Sequence, residues 1–155
     1  MTFTLKDGGD RASFDGGMVR DTEVGKIRWD LIPDDIFFDC VLSEKTSKVI
    51  DAYLTYRKTG ENYVNFINEL IIAECGVGDD SRRAYYERVA EHMTKGAEKY
   101  GELNWQQGKS KEVHERYIKS LNRHFKQWLL GERTEDHAAA CYFNTNGIEY
   151  TRSNM

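Results

Sequence analysis

The chain has 155 residues, the size of one ordinary domain, and 39% of them are apolar, which is enough for a single core. Its formal net charge is −4, with 22 basic residues spread among 26 acidic ones. This balance argues against a protein that binds the phosphate backbone of nucleic acid through its overall electrostatic potential. No stretch approaches the roughly 18 apolar residues that span a bilayer, and no apolar signal core opens the chain. We therefore expect one soluble, cytoplasmic domain over residues 1–155, with no nucleic-acid or membrane partner.

The three cysteines, Cys40, Cys75 and Cys141, lack the CxxC spacing of a zinc or redox site. Each lies in an apolar segment of the sequence. We expect buried free thiols in a reducing compartment rather than zinc ligands.

Residues 1–32 are rich in Gly and Asp and show no helical period, which predicts an irregular, extended arm. Within this arm, Lys26 and Arg28 follow Gly25, a composition suited to backbone approach to an anion. A solvated loop is the alternative interpretation. The only proline, Pro33, marks the entry to a helical body over residues 33–150.

Apolar residues at helical spacing predict two or three helices between residues 34 and 75, over about 36–42, 44–57 and 61–75, and a further helix over 82–100. The third carries a core stripe, and the fourth has Asp80 or Ser81 as its cap. A long fifth helix begins at a cap on Ser110 and continues to Leu130. The core stripe of the third helix contains Tyr63, Phe66, Ile67, Leu70 and Ile71.

The stretch from Arg123 to Asn144 concentrates the ionisable residues. Gly131 is expected to end the fifth helix, and Thr134 to cap a sixth helix whose first turn contains Glu135 and Asp136. The next six residues, 138–143, are apolar on every face, so this helix must be buried. We expect Asn146-Gly147 to end or kink it, leaving residues 151–155 as a frayed tail.

Three carboxylates, Glu132, Glu135 and Asp136, therefore lie at the mouth of a buried helix, flanked by His124 and His137. Such a cluster needs a partner, and a divalent metal ion is the obvious one. A lone histidine such as His124 is about equally often a hydrogen-bonded core residue. From the residues alone, the pattern indicates a metal-dependent hydrolase.

The second half of such a metal site is less defined. Glu87, Glu91 and Glu98 lie almost opposite the apolar stripe of the fourth helix, which favours a water-facing strip. Glu98 is a ligand if that face borders a cleft or a subunit interface. Glu69 and Glu74 on the third helix form a further acidic pair, although solvated positions suit them better.

Three blocks of the sequence, residues 17–32, 96–105 and 123–144, together resemble the phage-encoded dATP/dGTP diphosphohydrolase family. This family is related to the all-α, MazG-like nucleotide pyrophosphohydrolases and includes the MazZ proteins. The resemblance implies an all-α bundle of the MazG-like type behind an irregular N-terminal arm. It also marks residues 34–84 as an insertion relative to shorter relatives.

The implied activity is a metal-dependent hydrolysis of purine dNTPs, dGTP or dATP, to dNMP and pyrophosphate in phage nucleotide metabolism. Mg2+ or Mn2+ would bridge carboxylates to phosphate oxygens and activate the attacking water. The resemblance also implies a homodimer or homotetramer in the cytoplasm of the infected host cell.

The same resemblance implies a set of site residues. The metal ligands are Glu132, Glu135 and Asp136, with Glu98 as the first choice on the second helix, Glu87 with Glu91 next, and Glu69 with Glu74 last. The catalytic group comprises Glu135, Asp136, His124 and His137, of which the histidines orient water or phosphates. Lys26, Arg28, Lys99 and Arg123 neutralise phosphate charge, Asn144 binds a phosphate, and Asn104 and Trp105 read and stack the base.

Two alternatives remain open from the residues. The first is a phosphohydrolase that releases phosphate or triphosphate, although the single His-adjacent Asp weighs against it. The second is a helical binding or scaffold protein without enzymatic activity, whose acidic residues are caps and a solvated face.

Overall fold

The structure is a computed structural model, and it describes residues 11–14, 18–21 and 25–155. The described residues form six α-helices and one short antiparallel hairpin, which confirms the all-α class. The hairpin pairs β1 (Arg11–Ser13) with β2 (Val19–Asp21). The helices are α1 (Asp34–Val41), α2 (Ser47–Thr59), α3 (Tyr63–Cys75), α4 (Asp79–Tyr100), α5 (Lys111–Leu129) and α6 (His137–Asn154). None of these helices is both long and apolar enough to cross a membrane.

The chain divides into two compact units. One combines the residues before Leu31 with Val89–Met155, and we call it the site unit; the other is Leu31–Arg88. The second unit closely matches the segment 34–84 that the resemblance marks as an insertion. The expectation of a single domain is not tested by this division and stays a prediction.

The Leu31–Arg88 unit is built around aromatic side chains. Phe38, Tyr53 and Phe66 meet edge to face in succession, with ring centroids 5.5 and 5.6 Å apart. The predicted stripe of α3 is buried at Phe66, Ile67, Leu70 and Ile71, whereas Tyr63 is 44% exposed because it begins the helix.

The core of the site unit lies between α5 and α6. Tyr117, Leu121 and Phe125 are spaced four residues apart and are fully buried, as the apolar period of α5 predicts. They pack with the buried start of α6, Ala138–Cys141, whose small side chains allow helices to approach closely. A Cβ atom at Gly147 would lie 2.5 Å from ring atoms of Tyr117, so the glycine admits the ring.

The cap of α5 is confirmed, and that of α6 is corrected. Ser110 accepts the backbone N–H of Val113 at 3.2 Å, and Gly131 leaves α5 with φ +79°. Thr134 is not the cap of α6, because its N–H and hydroxyl both donate to the Glu132 carboxylate. Asp136 is the cap instead, and its carboxylate accepts the Ala139 N–H at 3.1 Å. The first turn of α6 therefore contains neither Glu135 nor Asp136.

Three smaller predictions are wrong. Asn146-Gly147 does not end α6, because Tyr117 packs against the glycine and the helix continues. The tail is not frayed at Thr151, which is buried and hydrogen-bonded to His114 Nδ1 at 2.6 Å. Helix α4 begins before Asp80 and Ser81, which lie inside its first turn.

The cysteines divide by burial. Cys141 is buried as expected and Cys75 is half-buried, but Cys40 is exposed, so the expectation of three buried thiols is wrong. All three are free.

Part of the N-terminal arm is attached to the site unit. Met18 is buried, and a Cβ atom at Gly108 would collide with its sulfur, so the methionine packs directly on this glycine. The fully buried Lys126 of α5 donates from Nζ to the Trp29 carbonyl at 3.0 Å. Gly17, the first residue of the resembling block, lies outside the described residues.

Candidate active site

A cavity of about 950 Å3 lies within the site unit. Its walls come from the arm after Gly25, the second half of α4, the 3-10 turn Asn104–Gln107, α5 and the start of α6. Nine of the residues selected from the sequence line it together: Lys26, Arg28, Lys99, Asn104, Trp105, Arg123, His124, Glu135 and Asn144.

The cavity is rich in positive charge although the chain is acidic. Its lining includes six cationic side chains, Lys26, Arg28, Lys99, Arg116, Lys119 and Arg123, against three carboxylates, Asp30, Glu102 and Glu135. Arg28 pairs with Asp30 at 2.7 Å. A concave surface of one charge sign raises the local concentration of ions of the opposite sign. The cavity is therefore suited to a polyanionic ligand.

A second cluster stands between the end of α5 and the start of α6. Glu132, Glu135 and His137 each place one possible ligand atom within 4.8 Å of the others. Glu135 also lines the cavity, so the cluster borders it. Local chain geometry produces the cluster, because Gly131 ends α5, Glu132 and Glu135 occupy the connection, and His137 opens α6.

A chain of hydrogen bonds joins this cluster to the cavity. Arg123 Nη2 lies 3.1 Å from His124 Nε2, His124 Nδ1 lies 2.8 Å from His137 Nδ1, and His137 Nε2 contacts the Glu132 carboxylate. A guanidinium only donates, so His124 Nε2 accepts and its Nδ1 carries the proton. His137 then accepts at Nδ1 and donates from Nε2 to Glu132. We infer this polarity from the partners, and it fixes the tautomer of both rings.

Glu132 is held as a carboxylate in this network. Burial acts to raise its pKa, but hydrogen bonds from Thr134 and His137 outweigh this effect and lower the pKa to about 2. The side chain of His137 is fully buried. It does not line the cavity itself, and it meets the cavity's edge within the cluster it forms with Glu132 and Glu135.

The other two predicted metal ligands lie elsewhere. Asp136 caps α6 and is not among the three clustered residues, and Glu98 is exposed on α4 without lining the cavity. The fallback residues Glu87 and Glu91 are also exposed. Glu74 pairs with Arg88 at 3.0 Å in the other unit. The ligand roles of Glu98 and Asp136 stay predictions.

Paired substitutions separate the capping role of Asp136 from a ligand role. Asp136→Ala is expected to cost about 1 kcal/mol of unfolding free energy, whereas Asp136→Asn retains a capping oxygen and should cost a few tenths at most. Urea denaturation of both variants measures this difference. Equal stability of the two variants would contradict the cap. Loss of metal-dependent turnover in Asp136→Asn would then assign a ligand role, which the sequence predicts.

Trp105, which was selected for base stacking, is held in place by Tyr150, a residue outside the cavity lining. Trp105 meets Tyr150 edge to face at 5.1 Å, and the Tyr150 hydroxyl donates to the Gln106 carbonyl at 2.8 Å. These contacts fix the 3-10 turn against α6 and leave Trp105 in the cavity lining.

Sequence reasoning missed several lining residues. Arg116, Ser120 and Gln127 were missed, although they share a polar stripe with the selected Arg123 at i, i+4, i+7 and i+11 on α5, and this stripe was the available signal. His92 was also missed, although it precedes Lys99 by two helical turns. Burial lowers the pKa of His92, against the opposing fields of Asp136 and Glu135.

The clustered donors fit a divalent cation. Carboxylate oxygens suit Mg2+ and Mn2+, but Mg2+ selects oxygen ligands more strictly, so the imidazole of His137 favours Mn2+. The direct hydrogen bond between His137 and Glu132 joins two of these donors, and a bound cation would take its place. Because a metal-bound nitrogen carries no proton, ligation through Nε2 would place the His137 proton on Nδ1, which would then donate to His124 and reverse the polarity inferred above.

Comparison with known proteins agrees with the location of the cavity. Residues 83–150 match the model of the family described as dATP/dGTP diphosphohydrolase, N-terminal. No curated protein and no solved structure matches the chain. The matched segment contains most of α4, all of α5 and most of α6, and hence the helical walls of the cavity and the clustered acids. The match over residues 83–150 thus supports the resemblance to the dATP/dGTP diphosphohydrolase family.

Proposed function

We propose that the protein is a metal-dependent diphosphohydrolase that converts purine dNTPs, dGTP or dATP, to dNMP and pyrophosphate in phage nucleotide metabolism. The observation that supports this best is the cation-lined cavity beside the Glu132, Glu135 and His137 cluster, inside the family-matched segment. A triphosphate needs cationic partners, and the cavity supplies them in a chain whose net charge is −4.

The cationic side chains that line the cavity bind the phosphates from different elements of the fold. Lys99 and Arg123 bind phosphate oxygens from α4 and α5, while Lys26 and Arg28 do so from the arm. The network from Arg123 to Glu132 holds the guanidinium and the acidic cluster in a fixed relation. Arg123 therefore orients the phosphates with respect to the carboxylates.

The reaction is a displacement at the α-phosphorus. Water adds an oxygen to that phosphorus, the bond to the bridging oxygen toward the β-phosphorus breaks, and pyrophosphate leaves. A divalent ion held by Glu132, Glu135 and His137 would supply charge neutralisation and a lowered pKa for the attacking water. The homodimer or homotetramer implied by the resemblance is part of the proposal as well.

The test is a product assay. Purified protein is incubated with each purine dNTP and NTP, with Mn2+, with Mg2+ or with a chelator, and the products are separated. We expect monophosphate and pyrophosphate from purine dNTPs, more with Mn2+ than with Mg2+, and none with the chelator. Diphosphate with phosphate, or nucleoside with triphosphate, would indicate the other phosphohydrolase class. Absence of any turnover would leave the scaffold alternative.

A further inference from the structure

Asn144 of α6 is a cavity-lining residue with only one of its two amide atoms satisfied. It is 2% exposed, and its Nδ2 donates to the Ala140 carbonyl at 2.8 Å. A carbonyl oxygen can only accept, so this bond fixes which way the amide faces. The remaining atom is therefore the oxygen, Oδ1.

Asn144 Oδ1 is buried and has no hydrogen-bond partner among the described residues. Three other buried atoms in that part of the chain share this condition, on Asn122, Trp128 and Asn146, but none of those residues lines the cavity. Buried polar atoms in proteins are nearly always paired, and an unpaired one needs an explanation. A ligand in the cavity would supply the missing partner.

The chemistry of Oδ1 does not suit a bond to phosphate, the partner that the sequence predicts for Asn144. A carboxamide oxygen accepts hydrogen bonds, and phosphate oxygens of a metal-bound triphosphate also accept them. The two would repel rather than bind. Asn144 Oδ1 therefore needs an N–H or O–H donor, and a purine deoxynucleotide carries such donors on its base and on its 3′-hydroxyl.

The position of Asn144 on α6 agrees with a contact to this part of the substrate. It follows His137 by seven residues, almost two full turns, so both lie on one face of the helix about 10 Å apart. If His137 and the clustered acids lie next to the phosphates, Asn144 lies about two helical turns away along α6, next to the nucleoside half of the substrate. The neighbouring Phe143 lies against the His92 ring with centroids 5.7 Å apart, which gives this part of the cavity an apolar surface.

We propose that Asn144 determines specificity by accepting a hydrogen bond from the nucleoside half of the substrate through Oδ1. The donor is a base N–H or the 3′-hydroxyl, and the phosphates are not its partner. This inference rests on the proposed function, because it takes a purine deoxynucleotide as the ligand.

The test compares substrates that lack one donor each. Wild-type protein and Asn144→Ala are assayed with dATP and dGTP, with their 2′,3′-dideoxy counterparts, and with a purine deoxyriboside triphosphate that has no exocyclic amino group. We expect wild type to lose about tenfold in kcat/KM with one analogue class, the typical effect of one lost hydrogen bond. Asn144→Ala should lose about as much with the natural substrate and show no further loss with that analogue.

Asn146→Ala is the matched control, because Asn146 lies on the same helix with a buried amide nitrogen that faces no described partner, yet outside the cavity lining. It should keep the wild-type discrimination. Turnover by wild type without discrimination against either analogue class would overturn the inference and leave the proposed function standing, even if Asn144→Ala does not fold. Equal discrimination by wild type and Asn144→Ala would also overturn it. Absence of turnover by wild type would overturn the proposed function itself.

Discussion

Glu135→Gln and Glu132→Gln are each expected to lower kcat/KM for purine dNTPs by about 10³-fold. Both substitutions keep the size of the side chain and remove the charge that would hold a divalent cation against His137. A metal ion contributes several kcal/mol of transition-state stabilisation, which corresponds to this factor. Steady-state turnover across a Mn2+ titration measures the effect, and the half-saturating metal concentration should rise in both variants.

Glu115→Gln is the matched control for these variants. Glu115 is exposed on α5 and lies outside both the cavity and the acidic cluster, so its turnover should equal that of wild type. Glu98→Gln tests the ligand that the sequence selected on α4. Full activity of the Glu132 and Glu135 variants alongside loss in Glu98→Gln would move the metal site to α4.

Gly147→Ala is expected to destabilise the site unit by about 1–3 kcal/mol, the usual cost of overpacking a core. Alanine ordinarily stabilises a helix interior relative to glycine by about 1 kcal/mol. At this position the added methyl group would lie 2.5 Å from ring carbons of Tyr117, which is fully buried, so the ring would have to shift. The steric term therefore exceeds the gain in helix propensity.

Gly96→Ala gives the opposite expectation and serves as the control. Gly96 also lies inside a helix, but a Cβ atom there would meet nothing within 4 Å. Its unfolding midpoint in urea should rise, while that of Gly147→Ala falls. A rise in both midpoints would show that the α5–α6 packing is looser than the structure indicates.

The parts of this fold that were predictable are those set by neighbouring residues. The buried stripe of α5, its cap at Ser110 and its end at Gly131 each follow from side chains within a few positions of one another. The same holds for the buried start of α6, where every face is apolar. Local chemistry also brought Glu132, Glu135 and His137 close together, because a short connection separates two helix ends.

The errors arise where one of several local solutions is chosen or where distant residues decide. Thr134 and Asp136 both make good caps, and the hydrogen bonds from Thr134 to Glu132 leave Asp136 as the cap. Gly147 looked like a helix end because its partner, Tyr117, is thirty positions earlier in the sequence. The cationic lining was only partly found, since Arg116 and Lys119 become relevant once α5 faces the arm and α4 across the cavity. Glu98 was selected through the resemblance, although its spacing on the helix favoured a water-facing side, and the structure has it exposed and outside the cavity lining.

The contact between Met18 and Gly108 carries a consequence for sequence variation. Any side chain at position 108 would occupy the space that the methionine sulfur fills and would press on Val113 as well. Relatives that keep the hairpin docked should therefore pair a large residue at 18 with glycine at 108, and a larger residue at 108 with a small one at 18. Coupled substitution at these two positions, ninety residues apart, would indicate that the relatives share the packing of residue 18 on residue 108.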